Sequence, residues 1–353
     1  MLLNWNIISK YRAELMGVAI VWIILFHGYE IGVRFGPHFT IVDSVFSFGN
    51  SGVDIFLFLS GVGLYSSYSR NRNVGAFYRR RARRVLWPYF IISIGYWIYV
   101  DFYQIHSAAQ FALDITQISL WTENMQRIWY VGLIIPLYIL FPAIFRLYFG
   151  GKERADPATG HRTAWLIILM SVIMNYMLQL AAEEWYSHLN IAVARIPIFL
   201  YGVLAGRYVA KGKDVTYGEW AALLVGLALA AASTESDVGF LFERLKLGVV
   251  GLVVCAVFCL LFERIKECRA YAPILRCLRF TGAYSFELYL THICIRWIVV
   301  FDSEEFFLEH FGDNALIIAY TFVLILSVIA TALFAQIEKL PGKIYVRWRA
   351  AAL

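Results

Sequence analysis

Charge is scarce in this chain. Only 16% of its 353 residues are Asp, Glu, Lys or Arg, against roughly a quarter in soluble domains. That leaves too few charges to cover a water-facing surface. Cysteine offers little framework either. Cys255, Cys259, Cys268, Cys277 and Cys294 form no CxxC pair, so neither a disulfide scaffold nor a metal site is expected. No low-complexity tract, clear repeat or soluble domain is visible. Lys10 and Arg12 precede an apolar run, but no small-residue cleavage site follows. The run reads as a first membrane helix, not a removable signal peptide.

What is abundant is hydrophobic length. Crossing a bilayer takes about 20 mostly apolar residues. On that measure helices are expected near 13–33, 49–69, 85–104, 127–148, 163–182, 190–208, 219–235, 246–263, 284–301 and 314–336. The fold class is therefore all-α: one polytopic membrane bundle over 1–353, of about ten transmembrane helices, with no appended extracytoplasmic domain. Two spans are atypical, since 219–235 is short and Ala-rich and 190–208 contains Arg195 and Pro197.

The charges set an orientation. With the N-terminus inside, 25 of the 31 Lys and Arg residues fall in cytoplasmic segments and 4 in external ones, as the positive-inside rule requires. Ten spans then return the C-terminus to the cytoplasm as well. The external loop 302–313, DSEEFFLEHFGD, is acidic. The net charge of +6 thus belongs to the cytoplasmic face of a multi-pass protein of the cytoplasmic membrane. Its partners there are membrane lipids, and nucleic acid is not expected.

Ionisable groups at membrane depth cost at least ~2.5 kcal/mol on insertion scales and mark functional sites. His27 lies late in the first helix and Asp54 early in the second, each about 8–9 Å below the external surface at 1.5 Å per residue. A carboxylate on one imidazole nitrogen raises the basicity of the other, which is how a general base is built. The plainer reading is a buried polar pair that fastens two helices. Arg195 and the trio Glu287, His292 and Arg296 are the other intramembrane charges.

The run FYRRRARRVLWPYF at 77–90 has five arginines in eight positions. It serves either as a topology anchor or as an anion site. For the second, Arg80 with Arg83 or Arg84, or Arg81 with Arg84, share a helix face and offer paired guanidinium forks to phosphates.

These segments together resemble the acyltransferase-3 family of bacterial membrane O-acyltransferases. The likeness runs from about residue 10 to 300. It is carried in order by GVAIVWIILFH (17–27), SGVDIFLFLSG (51–61), RRRARRVLWPYF (79–90), IWYVGLIIPLYILFP (128–142), RIPIFLYGVLAG (195–206) and TGAYSFELYLTHI (281–293). The resemblance implies transfer of an acyl group, usually acetyl, from cytoplasmic acyl-CoA to a hydroxyl of a cell-envelope or exported glycan, or another hydroxyl acceptor. Acetyl-CoA, or another short acyl-CoA, is then the co-substrate, with no metal. His27 matches the family's general base and Asp54 its helix-2 aspartate. The Arg-x-x-Arg element falls on Arg81 and Arg84, or on Arg80 and Arg83.

One departure stands out. Many members carry an arginine eleven residues before the histidine, where this chain has Met16. Arg12, one turn earlier on nearly the same face, is the nearest replacement. Trp129, Arg195, Ser285, Glu287, Tyr289 and His292 complete the expected set as substrate contacts, with Trp129, Ser285 and Tyr289 the candidate oxyanion donors. The rival readings are a glycan exporter and a catalytically silent scaffold. No inverted repeat or matching pair of broken helices favours the exporter.

Overall fold

A computed structural model describes residues 4–34, 40–150, 157–232 and 239–351, without the side chains of 157–158, 230–232, 239–240 and 338–351. Among the described residues there is no β-strand, and an isolated bridge joins Asn4 to Asp214. The architecture is the expected all-α bundle.

The principal helices are α1 (Arg12–Glu30), α2 (Ser51–Arg70), α3 (Val74–Arg81), α4 (Trp87–Trp97), α5 (Ala108–Ile115) and α6 (Ile118–Thr122). Next come α7 (Trp129–Phe149), α8 (Pro157–Ala181), α9 (Glu183–Val193), α10 (Ile196–Lys211), α11 (Tyr217–Ala232) and α12 (Gly239–Ile265). Last are α13 (Ala272–Ala283), α14 (Ser285–Arg296), α15 (Glu304–Phe311) and α16 (Ala315–Ala351). Among the described residues eight helical segments are long and apolar enough to cross a membrane, and they coincide with eight of the ten expected spans. The other two are helical but shorter. The 219–235 span is α11, its last three residues lying outside the described set, and 284–301 is α14 prolonged by a π-turn, Trp297–Phe301.

The centre of the bundle is α2, buried without interruption from Ser51 to Val62. A helix apolar on all sides has no solvent stripe and belongs in a core. Small residues let its neighbours approach: a β-carbon at Gly202 would lie 2.3 Å from the Phe58 carbonyl oxygen. Without a hydrophobic drive between helices in lipid, such contact supplies the packing energy. The periphery is different. Leu166, Met170, Met174, Met177 and Leu180 on α8, and Val328, Ile329 and Leu333 on α16, are exposed. These faces suit a hydrocarbon solvent.

Arg195 sits where one membrane segment is broken. α9 ends at Val193, and α10 begins at Ile196 with Pro197 in its first turn. There the missing proline N–H costs no intrahelical bond. The sequence feature that weakened this span is thus the start of a helix.

Candidate functional site

Two polar cavities sit at opposite ends of α1. At its C-terminal end a cavity of about 800 Å³ is lined by His27, Glu30, Asn50, Arg127, Trp129 and Arg296, among others. At its N-terminal end a chamber of about 240 Å³ is lined by Arg12, Met16, Arg81, Arg84, Tyr130 and Tyr289, with Ser60 and Ser285. A wider mouth of about 430 Å³ adjoins this chamber and shares Arg12, Met16 and Arg84 with it. Fifteen residues of helix, roughly 22 Å, separate Arg12 from His27.

The chamber and the large cavity meet at adjacent positions on two helices. Trp129 faces the large cavity and Tyr130 the chamber, and on α14 Ile293 and Tyr289 divide in the same way. The Tyr130 and Tyr289 rings stand edge to face, 5.6 Å apart. Both rings belong to the chamber's lining, on its side toward Trp129 and Ile293. The Tyr289 hydroxyl is buried beside the Tyr130 backbone, and its proton goes to no acceptor among the described residues. It is a donor available to a ligand.

His27 does not meet Asp54. Its Nδ1 lies 3.2 Å from Nε2 of His292, and the two rings are parallel, with centroids 5.2 Å apart. Tyr320 stands edge-on to His292, and its hydroxyl also bonds the Ile24 carbonyl oxygen. His292 therefore fills the place expected for Asp54. Equal depth on neighbouring helices did not decide the matter, because rotation about α2 turns Asp54 toward α10.

There Asp54 Oδ2 accepts from Arg195 Nε at 3.2 Å, both side chains being almost fully buried. Arg195 also donates to Asn50 Oδ1 at 2.9 Å and lies over the Trp129 ring. Asn50 and Trp129 both line the His27 cavity, whereas Arg195 does not reach it. The expected substrate contact is thus a brace behind the cavity wall. Removing one partner of such a buried pair costs roughly 3–5 kcal/mol, because the other charge is stranded. Asp54→Asn is accordingly expected to lower the melting temperature in detergent sharply, with Asp54→Asn/Arg195→Met recovering part of it. A variant that melts normally but fails to turn over would return Asp54 to a catalytic role.

The arginine run resolves into one register. Arg81 and Arg84 line the chamber, and Arg80 and Arg83 do not. A π-turn over Ala82–Leu86 inserts between α3 and α4, widening the helix and shifting the phase of the residues after Arg81. Arg84 Nη1 bonds Glu287 Oε1 at 3.1 Å and Nη2 the Ala283 carbonyl oxygen at 2.7 Å, with the guanidinium still half exposed. Glu287 thus holds Arg84 and is not among the residues that line the chamber.

Arg12 lies beside Met16 in the chamber, as a replacement for the family's arginine requires. Its Nε donates to the Leu59 carbonyl oxygen, and its guanidinium rests on Gly63, where a β-carbon would come within 2.6 Å of Nη2. At the mouth, Lys10 is held above its ordinary pKa by its hydrogen bond to Glu263, which keeps it cationic. Sequence reasoning missed Glu14, Glu30 and Arg127. Glu14 is buried and pairs with Arg279 at 2.6 Å, and Glu30 pairs with Arg296 at 2.7 Å.

The arrangement places a pair of imidazoles toward one end of α1 and the guanidiniums of Arg12, Arg81 and Arg84 at the other. Comparison with curated proteins and with solved structures found no match. A family model described as an acyltransferase domain matches residues 15–336, which include every lining residue of the two cavities except Arg12. The chain belongs to the acyltransferase-3 family of integral-membrane acyltransferases.

Proposed function

We propose that this protein moves acetyl, or another short acyl group, from acyl-CoA to a hydroxyl of a cell-envelope glycan or other acceptor. The observation that carries the proposal is the pair of cavities along α1, one cationic and one containing His27, whose linings come closest in sequence at Trp129 and Tyr130. CoA's phosphates pair with Arg12, Arg81 and Arg84, whose forks suit phosphate oxygens. The pantetheine arm then carries the thioester along α1 toward His27. By the charge count along the sequence, the arginine end faces the cytoplasm and the His27 cavity opens on the other side.

For His27 to act as a base its Nδ1–H donates to His292 Nε2, leaving its own Nε2 with a free lone pair. Nε2 takes the proton of the acceptor hydroxyl, whose oxygen attacks the thioester carbonyl carbon. The carbon–sulfur bond breaks as the carbonyl re-forms. The imidazolium returns its proton to the departing thiolate, giving an ester and free CoA. Tyr289, whose buried hydroxyl proton goes to no acceptor among the described residues, is the oxyanion donor best placed in the chamber.

Purified protein in vesicles, with radiolabelled acetyl-CoA on one side and glycans on either, tests the proposal. Label on the glycan supports it. Glycan crossing unlabelled indicates an exporter and overturns it. In the same assay Arg81→Gln and Arg84→Gln are expected to raise the KM for acetyl-CoA roughly 10–100-fold, the worth of one charge-assisted hydrogen bond. An unchanged KM would leave these arginines as topology anchors.

A further inference from the structure

The wall of the His27 cavity carries a second recognition element. Helix α14 passes into the π-turn Trp297–Phe301, and the Trp297 and Phe301 rings lie 4.5 Å apart at an angle of 32°. Both line the cavity. The Arg127 guanidinium carbon is 4.6 Å from the centre of the Trp297 ring, and that of Arg296 is 5.4 Å from the centre of the Phe301 ring. One aromatic floor thus carries two cations.

Their charges are balanced unequally. Arg296 is buried to 8% exposure and donates Nη2 to Glu30, yet its Nε has no hydrogen-bond partner among the described residues. Arg127 donates Nη1 to the Tyr96 hydroxyl at 2.8 Å, and none of the ion pairs among the described residues includes it. The cavity's carboxylates are Glu30, held by Arg296, and Glu304, which is exposed. Arg127 makes no ion pair, although Asp101 lies close enough to feel its charge, and it is held beside the aromatic floor by a phenol. Asn50, Asn124 and Gln126 add amides to the lining.

We infer that this cavity binds an acidic sugar, its ring against the exposed part of the Trp297–Phe301 pair and its carboxylate or phosphate paired with Arg127. Aromatic faces take the C–H side of a sugar ring, amides take its hydroxyls, and a guanidinium fork takes a planar carboxylate or a phosphate. Naming this sugar as the acyl acceptor rests on the transferase reading; its preference for an anion does not.

Isothermal titration of the full chain in detergent separates the two. The probes are methyl β-D-glucoside, methyl β-D-glucuronide and glucose 6-phosphate. At least one anionic probe is expected to bind about tenfold or more tighter than the glucoside, and Arg127→Gln is expected to close that gap. The ratio between the two anions identifies carboxylate or phosphate. Equal affinities in the wild type, no binding of either anion, or a gap that persists in Arg127→Gln overturns the inference. The same sugars are then offered with radiolabelled acetyl-CoA. A sugar that binds through Arg127 without gaining label counts against the transferase reading and leaves the anion site standing.

Discussion

His27→Ala is expected to reduce acyl transfer by a factor of ~10²–10⁴, the usual contribution of a positioned general base, while acetyl-CoA still binds. The two effects separate because His27 and the arginine chamber lie at opposite ends of α1. The melting temperature checks the fold, since His27 lines a cavity and its removal leaves α1 packed on α2 and α13. His292→Ala refines the result. His27 then keeps its place but loses the partner that fixes its tautomer, so kcat is expected to fall while the KM for acetyl-CoA holds. Full turnover by His27→Ala would remove the base from the mechanism. Full turnover by His292→Ala alone would make the second imidazole a spectator.

Gly282→Val is expected to prevent accumulation of folded protein. A β-carbon at Gly282 falls 1.8 Å from the Ala13 carbonyl oxygen, and one at Gly17 falls 2.1 Å from that of Leu278. Both obstacles are backbone, so no rotamer change relieves them and α1 must separate from α13. The cost exceeds the roughly 1–3 kcal/mol of ordinary overpacking. The same seam carries the Glu14–Arg279 pair, which separation would break, leaving a buried carboxylate alone. Arg12 is the residue next to Ala13, so any shift of this seam reaches the proposed donor site. Size-exclusion profiles and thermal melts in detergent are the measurement. A monodisperse Gly282→Val with a normal melting temperature would show that the two helices do not need this contact.

The helices could be read from the sequence because lipid leaves little choice. A span needs an unbroken apolar run, and such runs mark eight of the segments directly. Ser285–Phe301 is harder, since Glu287, His292 and Arg296 interrupt it. The same charges marked it as part of the site. What could not be read was rotation. Depth put His27 level with Asp54, but α2 is buried on every side and shows no polar stripe to orient it. Asp54 faces Arg195, and the imidazole that meets His27 comes from α14, 265 residues away. The arginine run failed differently. Five arginines in eight positions gave two equally good registers, and the π-turn that selects Arg81 and Arg84 has no signature in the apolar pattern. Arg127 carried no signal beyond one external charge, because its meaning depends on two rings 170 or more residues further along.

The Asp54–Arg195 pair also constrains how the chain is made. Its members are 141 residues apart, and chains grow at ~5–20 residues per second. The second segment thus enters the bilayer on the order of ten seconds before its counter-charge exists. A lone carboxylate in hydrocarbon is costly, so until Arg195 follows, Asp54 either carries a proton or stays where water or the insertion machinery shields it. The innermost helix of the finished bundle is therefore among the last to settle, although it is among the first to be synthesised.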